Sequence, residues 1–100
     1  MPVTTHTLKI SDKYFGKILC GDKKAEFRRS DDRCFKNRDL LVLREIKDCG
    51  SHYEYTGREL TCRITDVTKI SGVYPDLKGL HNFSMLSIYV IDYREGVIHE

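Results

Sequence analysis

The sequence lacks a long hydrophobic run. Its longest apolar stretch, around Met85 to Ile91, is interrupted by Ser87 and falls far short of the roughly 20 residues that a membrane-spanning helix needs. The N-terminal segment Met1–His6 has neither the basic nor the apolar region of a secretory signal. Repeats, linkers and low-complexity tracts are missing as well. We therefore expect one domain over residues 1–100, with its core at about residues 5–93, that is monomeric, cytoplasmic and without a membrane partner.

The cysteines lack the close Cys-x-x-Cys pairs that are typical of zinc sites. They lie far apart, at Cys20, Cys34, Cys49 and Cys62. Because a cytoplasmic protein occupies a reducing compartment, we expect free thiols rather than two disulfides. A metal site built from Cys49, His52 and distant residues is the less favoured alternative, so we predict neither a metal nor a cofactor.

An excess of one charge is also lacking, because 17 Lys and Arg residues oppose 15 Asp and Glu residues. The distribution of charge is nevertheless uneven, since residues 23–38 carry +4 and the remainder carries −2. The basic residues of this segment are Lys23, Lys24, Arg28, Arg29, Arg33, Lys36 and Arg38, and the acidic ones are Glu26, Asp31 and Asp32. Local positive charge is expected where phosphate is bound. The alternative is a solvated loop of mixed charge.

The first third of the chain has the pattern of a strand, a helix and a second strand. His6–Ile10 reads as a strand, and Ser11 is a good N-cap for the helix that follows. Gly21 permits the positive φ angle that ends a helix, and Lys24–Arg29 reads as the next strand. The apolar helical positions, which predict one buried face, are Tyr14, Phe15, Ile18 and Leu19.

Side chains of the second predicted strand alternate between two faces. Lys24, Glu26 and Arg28 project to one face, and Ala25 and Phe27 project to the other. We expect the charged face to meet solvent or a polar ligand.

The remainder of the chain reads mainly as strands. We expect turns at residues 48–51 and 56–57 and a loop at 72–83 with room for one helical turn. The predicted strands are Asp39–Lys47, which is apolar on both faces and therefore central, His52–Tyr55, Arg58–Lys69 and Ser84–Tyr93. This order predicts an α+β fold, namely a small and mostly antiparallel β-barrel of five or six strands with one early helix after the first strand.

The segment Gly21–Arg28, which reads GDKKAEFR, resembles the Gly-x-Lys-Thr-x-Glu-x-Arg hallmark of ASCH domains, a branch of the PUA-like superfamily of small β-barrels. Asp39–Glu45 resembles the strand that follows Gly-Asp in that family, and Tyr55–Leu60 is similar to a small bacterial and phage subgroup of uncharacterised function. The resemblance covers roughly Thr5 to Tyr93.

Two residues depart from the ASCH pattern. Lys24 replaces the usual threonine, which adds a cation and removes a hydroxyl. Arg38 replaces the glycine of Gly-Asp, and because arginine resists positive φ angles we expect a different loop conformation there.

The resemblance implies a module that binds RNA or a modified nucleotide in a basic cleft between the helix and the barrel. Cations would neutralise phosphate, and Glu26 would accept a hydrogen bond from an exocyclic amine such as that of cytosine. Tyr14 or Phe35 would stack on an unpaired base, although the helical spacing of Tyr14 equally predicts a core residue. Other aromatic candidates are Tyr53, Tyr55 and Tyr74. The predicted ligand-binding residues are Lys23, Lys24, Glu26, Arg28, Arg29, Arg33, Tyr14 and Phe35.

Two further functions stay open. Some small ASCH proteins remove the acyl group of N4-acetylcytidine, and their lysine corresponds to Lys23, so a hydrolase or ribonuclease would use Lys23 and Glu26 as catalytic residues. Their nucleophilic threonine is replaced by Glu26, however, and Asp76 is the only candidate for their second carboxylate. A plain ion pair between Lys23 and Glu26 is therefore favoured. The other alternative is a protein-interaction domain of phage origin. His52 and His81 are the remaining catalytic candidates, but neither stands in a recognisable triad pattern, so we expect surface-loop histidines, and Ser84 near His81 adds no signal.

Overall fold

The computed structural model describes residues 2–30, 33–80 and 82–98, which form one five-stranded sheet with short helices. The strands are β1 (Thr5–Ser11), β2 (Ala25–Arg29), β3 (Leu40–Asp48), β4 (Tyr53–Lys69) and β5 (Phe83–Arg94). The helices are α1 (Asp12–Leu19) and α2 (Ile70–Val73), and Lys78–Leu80 forms a 3₁₀ turn. The predicted early helix and the helical turn before the last strand are thus both present. No helix in the described ranges combines the length and hydrophobicity needed to cross a bilayer.

The strand order is β1-β3-β4-β5-β2, with β1 parallel to β3 and every other pair antiparallel. The mostly antiparallel α+β prediction is therefore confirmed. β1 and β2 are the two edge strands, yet Nη2 of Arg28 on β2 donates a hydrogen bond to the backbone oxygen of Lys9 on β1 at 2.8 Å. The sheet is accordingly curled into a half-barrel, whose edges are joined by a side chain.

Both ends of α1 follow the sequence signals. The Ser11 hydroxyl accepts a hydrogen bond from the backbone N–H of Lys13, and Gly21 follows the helix with a φ angle of 88°. The buried face of α1 is narrower than we predicted from the spacing of its apolar residues. Phe15 and Ile18 are buried, whereas Tyr14 is 43% exposed.

The predicted turn at residues 56–57 is wrong, because β4 runs without interruption through Gly57. The pairing of β4 with β3 shifts register between Arg44 and Ile46, where four steps along β4 oppose two along β3, so the ladder absorbs two extra β4 residues as an irregularity. Gly57 adopts a φ angle of 90°, which bends the strand instead of reversing it.

The core fills the concave side of the half-barrel under α1. It consists of Ile10, Phe15, Ile18, Phe35, Leu41, Leu43, Leu60, Cys62, Ile64, Leu86 and Ile88. The alternation at positions 60, 62 and 64 is as the sequence predicted, and β3 is an interior strand of the sheet, although the central position belongs to β4. All four cysteines are free, and Cys62 alone among them is buried.

The loop before β3 is anchored by the buried carboxylate of Asp39. It accepts hydrogen bonds from the backbone N–H groups of Thr4 and Lys36 and lies 2.9 Å from Nε2 of His6. Burial alone would raise the pKa of Asp39, but the hydrogen bonds from His6, Thr4 and Lys36 outweigh it and hold that pKa below its usual value. Arg38 has a φ angle of 76° and donates its N–H to the carbonyl of Ile64. The expectation that arginine would avoid positive φ here is therefore wrong.

Candidate functional site

Two charged residues of β2, Glu26 and Arg28, face the interior of the half-barrel. Glu26 pairs with Leu86 of β5 and Arg28 pairs with Ser84, and both partners are buried. Directly opposed residues of an antiparallel pair project to the same face, so Glu26 and Arg28 lie on the concave side. Phe27 points the other way and is 54% exposed. The predicted alternation holds, but its charged face meets the interior and not open solvent.

Glu26 is held between two cations. Its Oε2 atom accepts hydrogen bonds from Nη2 and Nε of Arg28 at 2.7 and 3.2 Å, and its Oε1 atom lies 3.4 Å from Nζ of Lys23. The residue is 7% exposed, and a carboxylate at that depth is tolerated because it is paired. Lys23, Glu26 and Arg28 are called the Glu26 triad below, and the triad carries a net positive charge.

The corner between α1 and β2 directs the side chain of Lys23 towards Glu26. Its backbone N–H donates to the carbonyl of Lys17 at 2.9 Å, just after the positive φ angle of Gly21. Its Nζ atom lies 5.7 Å from the centroid of the Tyr14 ring, a cation–π distance. Simple strand parity would have placed Lys23 on the opposite face, so the corner determines its direction.

A pocket of about 300 Å³ opens at the triad. Its lining residues are Tyr14, Lys23, Glu26 and Phe27. Since Tyr14 is partly exposed at this pocket, the alternative that it is a core residue is wrong. The pocket thus combines two aromatic rings with a carboxylate and an ammonium group, the mixture of apolar walls and few polar groups that small-ligand sites use.

Two further pockets extend the opening along β2. The first, of about 360 Å³, is lined by Leu8, Phe27, Arg28, Arg29, Arg33, Phe35 and Phe83. The second, of about 480 Å³, is lined by Ser30, Arg33, Cys34, Phe35, Lys69, Ser71, Asn82 and Ser84. Phe27 lines the triad pocket and the pocket of about 360 Å³. Arg33 and Phe35 line the pocket of about 360 Å³ and the pocket of about 480 Å³. We call the three adjoining pockets the β2 groove.

The β2 groove brings together most of the predicted ligand-binding residues. Arg28, Arg29 and Arg33 all line it, as do Tyr14, Lys23 and Glu26. Lys24 lines another depression beside the end of α1, which shares Lys23 with the triad pocket. Phe35 is only 7% exposed and its ring packs 4.7 Å from that of His6, so it forms part of a wall and offers no free face for stacking.

Sequence reasoning missed several groove residues. Phe27 has an exposed ring, and Phe83 lies 5.9 Å from the guanidinium of Arg29. Lys69 and Asn82 enter from β4 and from the segment before β5. Phe27 could have been found from the alternation of side chains along β2, because it must face outward once Glu26 faces inward.

The other aromatic candidates lie away from the groove. Tyr53 and Tyr55 are neighbours on β4, with ring centroids 5.9 Å apart, and Nζ of Lys9 lies 4.6 Å from the Tyr53 ring. Each pairs with a residue of β3, Tyr53 with Asp48 and Tyr55 with Ile46. Tyr74 is exposed after α2, and neither it nor Asp76 lines the three pockets.

The histidine and serine candidates are also accounted for. His81 lies outside the described residues, and His52 is exposed near the β3–β4 turn. Ser84 is buried, with its hydroxyl donating to that of Ser30 at 3.2 Å.

A second ion pair, between the buried Glu45 and the partly exposed Arg58, packs against α1. Glu45 is 2% exposed, and its two oxygens accept hydrogen bonds from Nε and Nη2 of Arg58 at 2.8 and 2.6 Å and from the Thr56 hydroxyl. Burial would raise the pKa of Glu45, but these hydrogen bonds hold it below its usual value. The Arg58 guanidinium lies 4.7 Å from the Phe15 ring. This pair thus links β3 and β4 to the buried face of α1.

Cys62 is not a plausible nucleophile for this site. Burial, with a smaller contribution from Glu26, raises the pKa of its thiol to about 12. The thiolate, which is the reactive form, is therefore strongly disfavoured. The groove offers its carboxylate, its cations, its aromatic rings and the exposed thiol of Cys34.

Two comparisons with known proteins bear on this site. A family model described as a domain of unknown function, DUF3850, matches residues 5–84, which include α1 and β2. The uncharacterised 12.9 kDa protein in the GpA 3′ region of Escherichia phage P2 is 40% identical to this chain over 81 residues. That alignment spans 81% of this chain and 70% of the phage protein.

Proposed function

The chain belongs to the DUF3850 family, and we propose that it binds single-stranded RNA or a modified nucleotide in the β2 groove. The observation that carries this proposal is the position of Glu26. Its buried carboxylate, paired with Lys23 and Arg28, opens on a pocket that has Tyr14 and Phe27 on its walls. This arrangement suits a flat, hydrogen-bonding ligand.

The triad pocket would take the base. Exposed aromatic rings stack on unpaired bases, with about 1–3 kcal/mol per base in known single-strand-binding proteins. Glu26 would accept a hydrogen bond from an exocyclic amino group such as that of cytosine. Because Lys23 and Arg28 already orient both carboxylate oxygens, the acceptor is fixed before the ligand arrives. Such preorganisation lowers the entropic cost of binding.

The arginine side of the groove would take the phosphates. Arg28, Arg29 and Arg33 line the pocket next to the triad, and Lys69 lines the one beyond it. Guanidinium groups match phosphate oxygens in geometry as well as in charge. A chain of nucleotides would therefore run along β2, with one base in the triad pocket and its backbone on the arginines.

The same segment carries the resemblance to ASCH domains. The hallmark residues Gly21, Lys23, Glu26 and Arg28 are those that form the corner and the triad. We therefore extend the proposal to the fold, with the half-barrel as a PUA-like barrel and the β2 groove as its cleft between helix and sheet.

The test is an NMR titration of the ¹⁵N-labelled protein with cytidine, N4-acetylcytidine, CMP and a short single-stranded RNA. We expect shifts at Tyr14, Gly21–Arg29 and Arg33, with the largest for the RNA. Lys23→Ala and Glu26→Gln should weaken them. Lys17→Ala is the matched control, because Lys17 is an exposed cation of α1 outside the groove.

Hydrolysis of an acylated cytidine is a second candidate, favoured by one contact. Nζ of Lys23 lies 3.4 Å from Oε1 of Glu26 beside the pocket, as a general acid–base couple would require. The titrated samples are therefore assayed for deacylated product and for cleaved RNA. Product that disappears in Glu26→Gln would establish the hydrolase. Absence of both shifts and product with every ligand would refute binding and leave a protein-interaction domain.

A further inference from the structure

The turn between β3 and β4 carries a side-chain cluster that is separate from the β2 groove. The Sγ atom of Cys49, an imidazole nitrogen of His52 and a carboxylate oxygen of Glu54 all lie within 4.8 Å of one another. All three residues are exposed. The cluster therefore combines a thiol, an imidazole and a carboxylate at a position that solvent reaches freely.

Backbone hydrogen bonds hold the turn in the shape that creates the cluster. The N–H of Cys49 donates to the carbonyl of His52 at 2.8 Å, and the N–H of Gly50 donates to Oδ1 of Asp48 at 2.9 Å. Gly50 has a φ angle of 89°, which few other residues adopt without strain. The spacing Cys-x-x-His is thus closed into a tight loop, and β4 then adds Glu54 two residues further on.

We propose that Cys49, His52 and Glu54 bind a divalent transition-metal ion, with Zn²⁺ as the best match to the three donors. Thiolate, imidazole and carboxylate are the ligands that zinc takes in proteins, at about 2.0–2.3 Å. The three donor atoms must approach one another slightly to reach these bond lengths. Exposed side chains on a fixed turn can do so by small rotations.

The charge and the ligand number define the kind of site. A thiolate and a carboxylate balance the charge of a divalent cation, while the imidazole binds in its neutral form. At present His52 Nε2 lies 3.3 Å from Oε1 of Glu54, a contact that the metal would replace. Three protein ligands leave a fourth position for water or a second molecule, as in sites that are not purely structural.

The experiment is a titration of the untagged, anaerobic protein with Co²⁺, followed by displacement with Zn²⁺. Thiolate coordination to Co²⁺ produces charge-transfer absorption in the near ultraviolet, and a tetrahedral site adds visible bands. We expect one equivalent to bind and Zn²⁺ to abolish the signal. Cys49→Ser should remove the charge-transfer absorption. His52→Gln and Glu54→Gln should each weaken binding by more than the roughly 10- to 100-fold effect of changing a residue outside the ligand shell.

The matched control is the double variant Cys20→Ser, Cys34→Ser, which removes the other two exposed thiols and leaves the turn intact. It should bind Co²⁺ as the unchanged protein does. Absorption that survives Cys49→Ser, or that disappears in the control, would overturn the proposal. So would Co²⁺ binding that is indifferent to both His52→Gln and Glu54→Gln, because a single thiolate would then be the whole site. Circular dichroism of each variant verifies that the fold is retained.

Discussion

Nη2 of Arg28 lies 2.8 Å from the carbonyl oxygen of Lys9 and 2.7 Å from Oε2 of Glu26. One guanidinium group therefore joins the two edges of the sheet and neutralises the buried carboxylate of the candidate site. The sheet curvature and the site geometry depend on the same side chain, and this dependence can be tested by mutation.

Arg28→Ala should destabilise the fold. It removes the contact between the sheet edges and leaves Glu26 with Lys23 as its remaining cation in the triad. Hydrogen bonds to charged groups contribute about 1.5–3 kcal/mol, and we expect the free energy of unfolding in urea to fall by that amount. Lys24→Ala is the control, because Lys24 is an exposed cation directly before the same strand and should change stability by less than about 0.5 kcal/mol. Equal decreases in the two variants would contradict this role of Arg28.

Phe27→Ala should impair binding while sparing stability. Its ring is 54% exposed and borders two of the three pockets of the β2 groove. Removal of one stacking partner should weaken RNA affinity by about 1–3 kcal/mol, measured by fluorescence anisotropy. Tyr89→Ala is the matched control, since Tyr89 is 66% exposed outside the groove. If both variants bind RNA as the unchanged protein does, Phe27 does not contact a base.

Arg33→Ala should reduce the salt dependence of RNA binding. Removing one cation that neutralises a phosphate lowers the slope of log K against log salt by about 0.7 for a single strand. The slope is obtained from anisotropy titrations over a series of salt concentrations. Lys17→Ala should leave it unchanged. A fall in affinity without a fall in slope would mean that Arg33 shapes the groove and does not bind phosphate.

Stability should fall in acid because of Asp39 and Glu45. Both carboxyls have pKa values below their usual range in the folded protein. A lowered folded-state pKa contributes stability above the unfolded value of about 4, and that contribution disappears as the pH falls through the folded pKa. Urea unfolding between about pH 7 and pH 2 should therefore show a plateau that declines below about pH 4.

Asp39→Asn separates the two contributions to the acid dependence. The variant cannot ionise at this position, so it should be less stable at neutral pH and should lose less stability in acid. Glu45 would then account for the remaining decline. An acid profile identical to that of the unchanged protein would show that Asp39 contributes no pH-dependent stability.

Local signals were sufficient for much of the fold. Ser11 and Gly21 mark the ends of α1 because capping and positive φ angles are properties of single residues. The alternation at Leu60, Cys62 and Ile64 identifies the buried face of β4 because burial repeats every second residue. These features need no knowledge of distant partners.

Features that depend on contacts between residues far apart in the chain could not be predicted from local sequence. Hydrophobicity cannot tell that Glu26 faces inward and Phe27 outward, since the cations that compensate Glu26 are assembled only by the fold. Gly57 carries the composition of a turn, yet it lies in the irregularity between the pairs Arg44–Glu59 and Ile46–Tyr55, where it bends a continuous strand. The role of Glu45 depends on Arg58, a partner 13 residues away. Thus the segment that forms the candidate site and the alternation of its side chains could be predicted, but which of the two faces is buried could not.

The contact between Arg28 and Lys9 is a side-chain hydrogen bond, so it can break while the strands themselves stay paired. Because it uses a side chain, releasing it breaks none of the backbone hydrogen bonds between paired strands. A phosphate group that drew the guanidinium towards the groove would free the carbonyl of Lys9 at the same moment. The distance between the edge strands β1 and β2 would then differ between the free and the ligand-bound protein, and the curvature of the sheet would change with it.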